Sequence, residues 1–109
     1  MSDFEINKLV ATHESLIINE GQSTSKQPTA VMVNDIVQSF MFDPCNNPSD
    51  AWPIIVDNCI NIEFYKDRVK SCVEIKTRHG VEFINSYNKD KNPLRAAMIC
   101  FLKMKDAEL

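Results

Sequence analysis

An asparagine, a proline directly behind it and an apolar stripe behind both fix the C-terminal segment of this chain. The run is Asn92-Pro93-Leu94-Arg95-Ala96-Ala97-Met98-Ile99-Cys100-Phe101-Leu102-Lys103-Met104. Asn92 can accept from an orphan N–H of a first helical turn, and Pro93 suits the first helical position, where no donor is needed. Leu94, Ala97, Met98, Phe101 and Leu102 recur at three and four residues, so one face of the helix must be buried. The Ala96-Ala97 pair lets that face come close to whatever it packs on. Packing and helix initiation account for all of these residues, and none of them brings reactive chemistry.

The same local signals organise the rest of the chain. A first helix is expected over Ser2–Thr12, capped by Ser2, with Asp3 and Glu5 at its positive end and Ile6, Leu9, Val10 and His13 on one face. Ser15–Asn19 reads as a short strand, and residues 21–29 as an exposed flexible loop. Ala30–Val33 and Ile36–Phe42 read as strands about a turn at Asn34-Asp35, followed by a turn cluster around Pro44 and Pro48. A second helix is expected to be capped by Ser49 or Asp50, with Pro53 in its first turn and Trp52, Ile55, Val56 and Cys59 on its inner side. Three strands follow, with Ile60, Ile62 and Phe64, then Val73, Ile75 and Thr77, then Val81 and Phe83 as their apolar sets. Arg78-His79-Gly80 makes the turn between the last two, and Lys89–Lys91 links to the final helix. The order is α-β-β-β-α-β-β-β-α, which predicts an α+β fold. Its sheet is antiparallel-dominated, with about four to six strands and three helices packed on it, in one domain over 1–109.

At 109 residues with 44% hydrophobic residues, the chain can bury a modest core. The four cysteines are Cys45, Cys59, Cys72 and Cys100, with no Cys-x-x-Cys pair and no basic-plus-apolar leader, so reduced thiols are expected and no zinc site of familiar spacing. Cys59 and Cys100 lie in apolar runs and read as buried. No run approaches the roughly 18 apolar residues of a membrane span. The net charge is −3, but residues 1–60 hold two bases against eight acids, whereas residues 61–109 hold ten bases against seven. An acidic face and a basic face could follow, able to steer a charged partner.

Catalytic constellations are thin. A Cys–His pair needs hydrogen-bond reach, about 3 Å, and nothing in the spacing brings Cys45 to His13 or His79. Asp50 and Asp57 share a helical face, but about 10.5 Å apart along it, too wide for a glycosidase pair. With only Gly21 and Gly80 there is no phosphate-cradling loop. No catalytic residue, metal or cofactor is therefore expected. The basic residues Lys66, Arg68, Lys70, Lys76 and Arg78, with Tyr65 beside them, offer a rim for a nucleic acid or an acidic partner, interrupted by Glu63, Asp67 and Glu74. A solvated, partly ion-paired strand face is the plainer reading. Arg95 could pair with Asp50 across two helix starts, and Trp52 reads as core.

Three segments together resemble the NinX family of lambdoid phages and prophages. They are Met1-Ser2-Asp3-Phe4-Glu5-Ile6-Asn7-Lys8, Cys45-Asn46-Asn47-Pro48-Ser49-Asp50-Ala51-Trp52-Pro53-Ile54-Ile55 and Asn92-Pro93-Leu94-Arg95-Ala96-Ala97-Met98-Ile99. Pro44 departs from the pattern, standing where an aromatic is expected before Cys45-Asn46. The resemblance implies a phage-encoded accessory protein in the cytoplasm of a bacterial host, and it transfers no catalytic residue. Asn46, Asn47, Asp50, Trp52, Asn92 and Arg95 are the motif residues to follow, as structure or interface. The function expected is non-enzymatic binding to a host or phage protein complex, affecting phage gene expression or replication or blocking a host defence. Nucleic-acid association through residues 66–78 is the alternative, and a small-molecule enzyme a distant third. Self-association through the strand edge at Ser15–Asn19 or Ile60–Tyr65 is compatible with the sequence.

Overall fold

The computed structural model describes residues 1–18, 29–34, 39–88 and 92–107. Its elements are α1 (Asp3–His13), β1 (Ile17–Ile18), β2 (Val31–Asn34), β3 (Ser39–Phe42), α2 (Pro48–Asp57), β4 (Asn61–Phe64), β5 (Val69–Thr77), β6 (Gly80–Asn88) and α3 (Pro93–Ala107). The class is α+β in the expected order, but the six strands form two antiparallel sheets of three, β1-β2-β3 and β4-β5-β6. The loop at 21–28, Asp35 and the link at 89–91 lie outside the described residues. Asn34 pairs with Ser39, so the β2–β3 connection is longer than a two-residue turn at Asn34-Asp35.

Helix α3 is the central element. It lies across β5 and β6 and also packs on α1 and α2. Its stripe does what its spacing demands: Ala97, Met98, Phe101 and Leu102 are buried, together with Ala96, Cys100 and Met104. They join Ile6, Val10 and Ala11 of α1, Val31, Val33 and Phe42 of the first sheet, Ile54 and Ile55 of α2, and Val73 of β5 in one core. No helix among the described residues is long and apolar enough to cross a membrane.

Three sequence expectations are corrected here. Helix α2 starts earlier than expected: Asn47, not Ser49 or Asp50, is its cap, accepting from the Ser49 N–H at 3.0 Å, with Pro48 at the first position. Pro53 therefore lies inside the helix, at an exposed position, where it supplies no N–H to the Ser49 carbonyl. The earlier start also sets the buried face to Ala51, Ile54 and Ile55, leaving Trp52 62% exposed beside exposed Val56. Cys59 is exposed rather than core, because it turns the chain out of α2 with φ 55°.

The third correction concerns the second sheet. Thr77 pairs with Gly80 across Arg78-His79, and Gly80 takes φ +117°, which its missing Cβ permits. That register sets Val73 opposite Ile84 and Ser71 opposite Ser86, both pairs facing α3. Val81 and Phe83, expected inside, therefore alternate to the other face and stand exposed. Phe64 at the end of β4 is 71% exposed.

Candidate functional site

The three segments carrying the family resemblance meet at one place, where the N-termini of α1, α2 and α3 converge. Asn7 is fully buried there. Its Nδ2 donates to the Thr29 carbonyl and to Asp43 Oδ1, each at 2.7 Å, and its Oδ1 accepts from the Cys45 N–H at 3.1 Å. Asp43 Oδ2 also accepts from the Thr29 hydroxyl at 2.6 Å, and the Asp43 N–H donates to Asp50 Oδ2 at 2.9 Å. Asn46 Nδ2 donates to Asp3 Oδ2 and Asp43 Oδ1. Asn92 caps α3 by accepting from the Leu94 and Arg95 N–H groups, and its Nδ2 donates to the Cys45 carbonyl.

Arg95 ties α3 to α1, not to α2. Its Nε lies 2.8 Å from Asp3 Oδ1 and its terminal nitrogen 2.6 Å from the Met1 carbonyl. The expected pair with Asp50 is not formed: Asp3 takes that place at Arg95, and Asp50 accepts from the Asp43 N–H. Burial raises the Asp50 carboxyl above its ordinary value, with repulsion from Asp43 adding to it and the backbone hydrogen bond opposing it. Three of the eight acids of the first sixty residues (Asp3, Asp43 and Asp50) are thus engaged in this junction.

Cys45 sits inside the same junction, with burial and the nearby Asp3 and Asp43 pushing its thiol up to about 12. It stays protonated at neutral pH, the form that is a poor nucleophile. His13 lies six residues beyond Asn7 on α1, about 9 Å along the helix axis. There it meets the Phe101 ring edge-on at 6.1 Å, in a groove of about 240 Å³ between α1 and α3 that Leu9, Ile99 and Leu102 also line. His79 is in the β5–β6 turn. The junction gathers hydrogen bonds that fasten elements together.

The surface with the composition of a binding site is elsewhere, on the face of β4-β5-β6 turned away from α3. Tyr65, Phe83 and Tyr87 are exposed there, and the Arg68 guanidinium stacks on two of them, 4.9 Å from the Tyr65 ring and 5.5 Å from the Tyr87 ring. Lys70, paired with Tyr87 in the ladder, lies 6.0 Å over the same ring and 3.9 Å from Glu63. Arg68 also meets Asp67 at 3.3 Å. The Tyr65 hydroxyl donates to Glu63 at 2.9 Å, which pushes the phenol above its ordinary range.

The five basic residues do not form one continuous rim. Arg68 and Lys70 stand with the tyrosines at one end of the β5–β6 hairpin, following Lys66 in the β4–β5 connection. Lys76 and Arg78 stand at the other end, about 20 Å along the strand from Lys70, with Glu74 between. Phe83 was missed in the sequence because its strand was read with the opposite parity, and Tyr87 because the strand was followed only through Val81 and Phe83, whereas it runs to Asn88. The signal was available: a two-residue turn at Arg78-His79 fixes every later pair, and Val73 and Ile75 facing inward put Val81, Phe83 and Tyr87 outward.

Comparison with curated proteins and with solved structures finds no match. A family model described as bacteriophage P22 NinX matches residues 1–105, nearly the whole chain, including the helix starts that meet at the junction. The chain belongs to the NinX family of phage proteins, and is a phage-encoded accessory protein.

Proposed function

We propose that this accessory protein works by binding, without catalysis, and that its occupant is a protein of the host or the phage held on the open face of the second sheet. The observation carrying this reading is the exposed cluster of Tyr65, Phe83 and Tyr87 around the stacked Arg68. Tyrosine, phenylalanine and arginine are residue types that anchor protein interfaces: aromatic rings give large contact area at low conformational cost, and Arg68 is already held by stacking on two of them. The cations of the cluster are already answered by Glu63 and Asp67, which suits a mixed protein surface better than a phosphate backbone. The protonated Cys45 and the separate placement of His13 and His79 support binding over covalent chemistry. The setting proposed is the bacterial cytoplasm, where such a contact could redirect phage gene expression or replication or block a host defence complex.

Single-stranded nucleic acid is the second reading, favoured by the aromatic rings on an open sheet together with Lys76 and Arg78, which have no ion pair among the described residues. The test is affinity capture of the tagged protein during infection, with wild type against the Tyr65→Ala/Phe83→Ser/Tyr87→Ala variant. A protein recovered with wild type and lost with the variant is the expected result. Recovery of the same proteins by both would refute the placement of the site. Retention of labelled single-stranded DNA at low salt, lost on reversing Lys76 and Arg78, would favour the second reading.

A further inference from the structure

Strand β6 ends the second sheet with one side unpaired among the described residues. It runs nine residues, pairs with β5 without a bulge, contains no proline or lysine, and carries one charge, Glu82. Bulges, prolines and lysines are devices by which edge strands ordinarily avoid pairing, and here they are missing; the one charge, Glu82, lies on the helix side, opposite Ile75. The two-residue connection makes Thr77–Gly80 a hydrogen-bonded pair, so the alternation turns the N–H and C=O groups of Val81, Phe83, Asn85 and Tyr87 to the free edge. Among the described residues, Asn85 is the one of the four whose carbonyl has a protein partner, a long 3.4 Å contact from Lys103.

We propose that the occupant of this edge is a second copy of the chain, with β6 pairing antiparallel to β6 about a two-fold axis at Ile84. In that register Val81 faces the partner's Tyr87, Phe83 faces the partner's Asn85, and Ile84 meets the partner's Ile84. All the outward backbone groups of both strands find partners, giving about eight hydrogen bonds. On the open face, apolar Val81 and Phe83, now exposed, gain cross-strand neighbours. On the helix side, Glu82 lies opposite the partner's Ser86, so no like charges oppose each other. Lys103, already at the Asn85 carbonyl, comes within reach of the partner's Glu82. Isologous pairing converts two three-stranded sheets into one of six strands and leaves the aromatic face open on both copies. This inference is independent of which partner occupies that face.

The test is sedimentation of the full chain up to roughly 100 µM, with two variants built on the register. In Val81→Glu/Tyr87→Glu, each new carboxylate sits beside Lys76 or Lys70 within its own hairpin but opposite a like charge across the axis. Val81→Glu/Tyr87→Lys places opposite charges across the axis instead. Wild type is expected to sediment as a dimer, the Glu/Glu variant as a monomer with an unchanged circular dichroism spectrum, and the Glu/Lys variant as a dimer again. A monomeric wild type, or a Glu/Glu variant that folds and stays dimeric, would overturn the proposal.

Discussion

Among the described residues, two that are not glycine occupy backbone conformations that favour it, in a chain with only two glycines. Ser15 has φ 60° and Cys59 has φ 55°. Each is the second residue past its helix, following the cap residues Glu14 and Asn58. The Ser15 N–H donates to the Thr12 carbonyl and the Leu16 N–H to Ala11, while the Cys59 N–H donates to Val56 and the Ile60 N–H to Ile55. This paired pattern ends a helix through one left-handed residue, at a cost of about 1 kcal/mol for a side chain with a Cβ. Ser15→Gly and Cys59→Gly should therefore each stabilise the fold by about 0.5–1 kcal/mol, read as a higher urea midpoint with unchanged slope. Asp50 gives a second residue-scale expectation, this one dependent on pH. Its raised carboxyl means the folded state holds the proton to higher pH than the unfolded chain does. The associated stability is fully present below the ordinary value of 3.8 and is lost as the pH rises through the folded-state value. In Asp50→Asn the side-chain oxygen can still accept from the Asp43 N–H. The substitution should stabilise the protein near neutral pH, with the gain vanishing below 3.8; a gain that persists in acid would assign it to something other than charge.

At the scale of elements, what decides a reading is whether the information is local. Helix α3 is legible because its cap, its proline and its stripe all lie within its own residues, and the same holds for the Ser2 cap of α1. The start of α2 is less so, since Asn47, Ser49 and Asp50 all have capping chemistry, and choosing among them decides whether Trp52 faces in or out. Burial of Ala51, Ile54 and Ile55 against the core, a tertiary fact, makes that choice. The parity of β6 is likewise nonlocal. Val81, Phe83 and Ile84 all suit a buried strand, and only the pairing with β5 selects Ile84 for the side facing α3. The motif residues Asn46, Asn47, Asp50, Asn92 and Arg95 were legible as a set worth following, whereas the long-range contacts of the junction were not, because Asn7 meets Thr29, Asp43 and Cys45 across 22 to 38 residues of sequence and Arg95 meets Asp3 across 92. The parity makes its own prediction. Ile84→Ala should cost about 2 kcal/mol or more, as for a packed aliphatic side chain, while the larger truncation Phe83→Ala should cost under about 1 kcal/mol. Equal losses in urea unfolding would mean that the register is wrong.

For the whole molecule, the question is what holds two small sheets and three helices in one arrangement. Apolar burial along α3 supplies the core, but apolar contact is non-directional and leaves the relative placement of the helix starts loosely specified. The junction supplies direction: α1, the turn before α2, and α3 each enter it with donors and acceptors that only one mutual placement satisfies. Asn7 is its centre, buried and bonded to Thr29, Asp43 and Cys45, which ties α1 to the segment ahead of β2 and, through two bonds, to the turn before α2. Asn46 joins the same acids from an exposed position. Buried groups stripped of a partner lose about 1–3 kcal/mol each, whereas an exposed group regains water. Asn7→Ala should therefore cost about 3 kcal/mol or more, and Asn46→Ala under about 1 kcal/mol, although both change the same residue type within the family-bearing segments. The aromatic face of the second sheet lies apart from the junction, so the folded fraction of Asn7→Ala should keep whatever partner that face holds. Comparable losses for the two variants in urea would show that the core alone orients the helices, and the polar chemistry of the helix starts would then need another explanation.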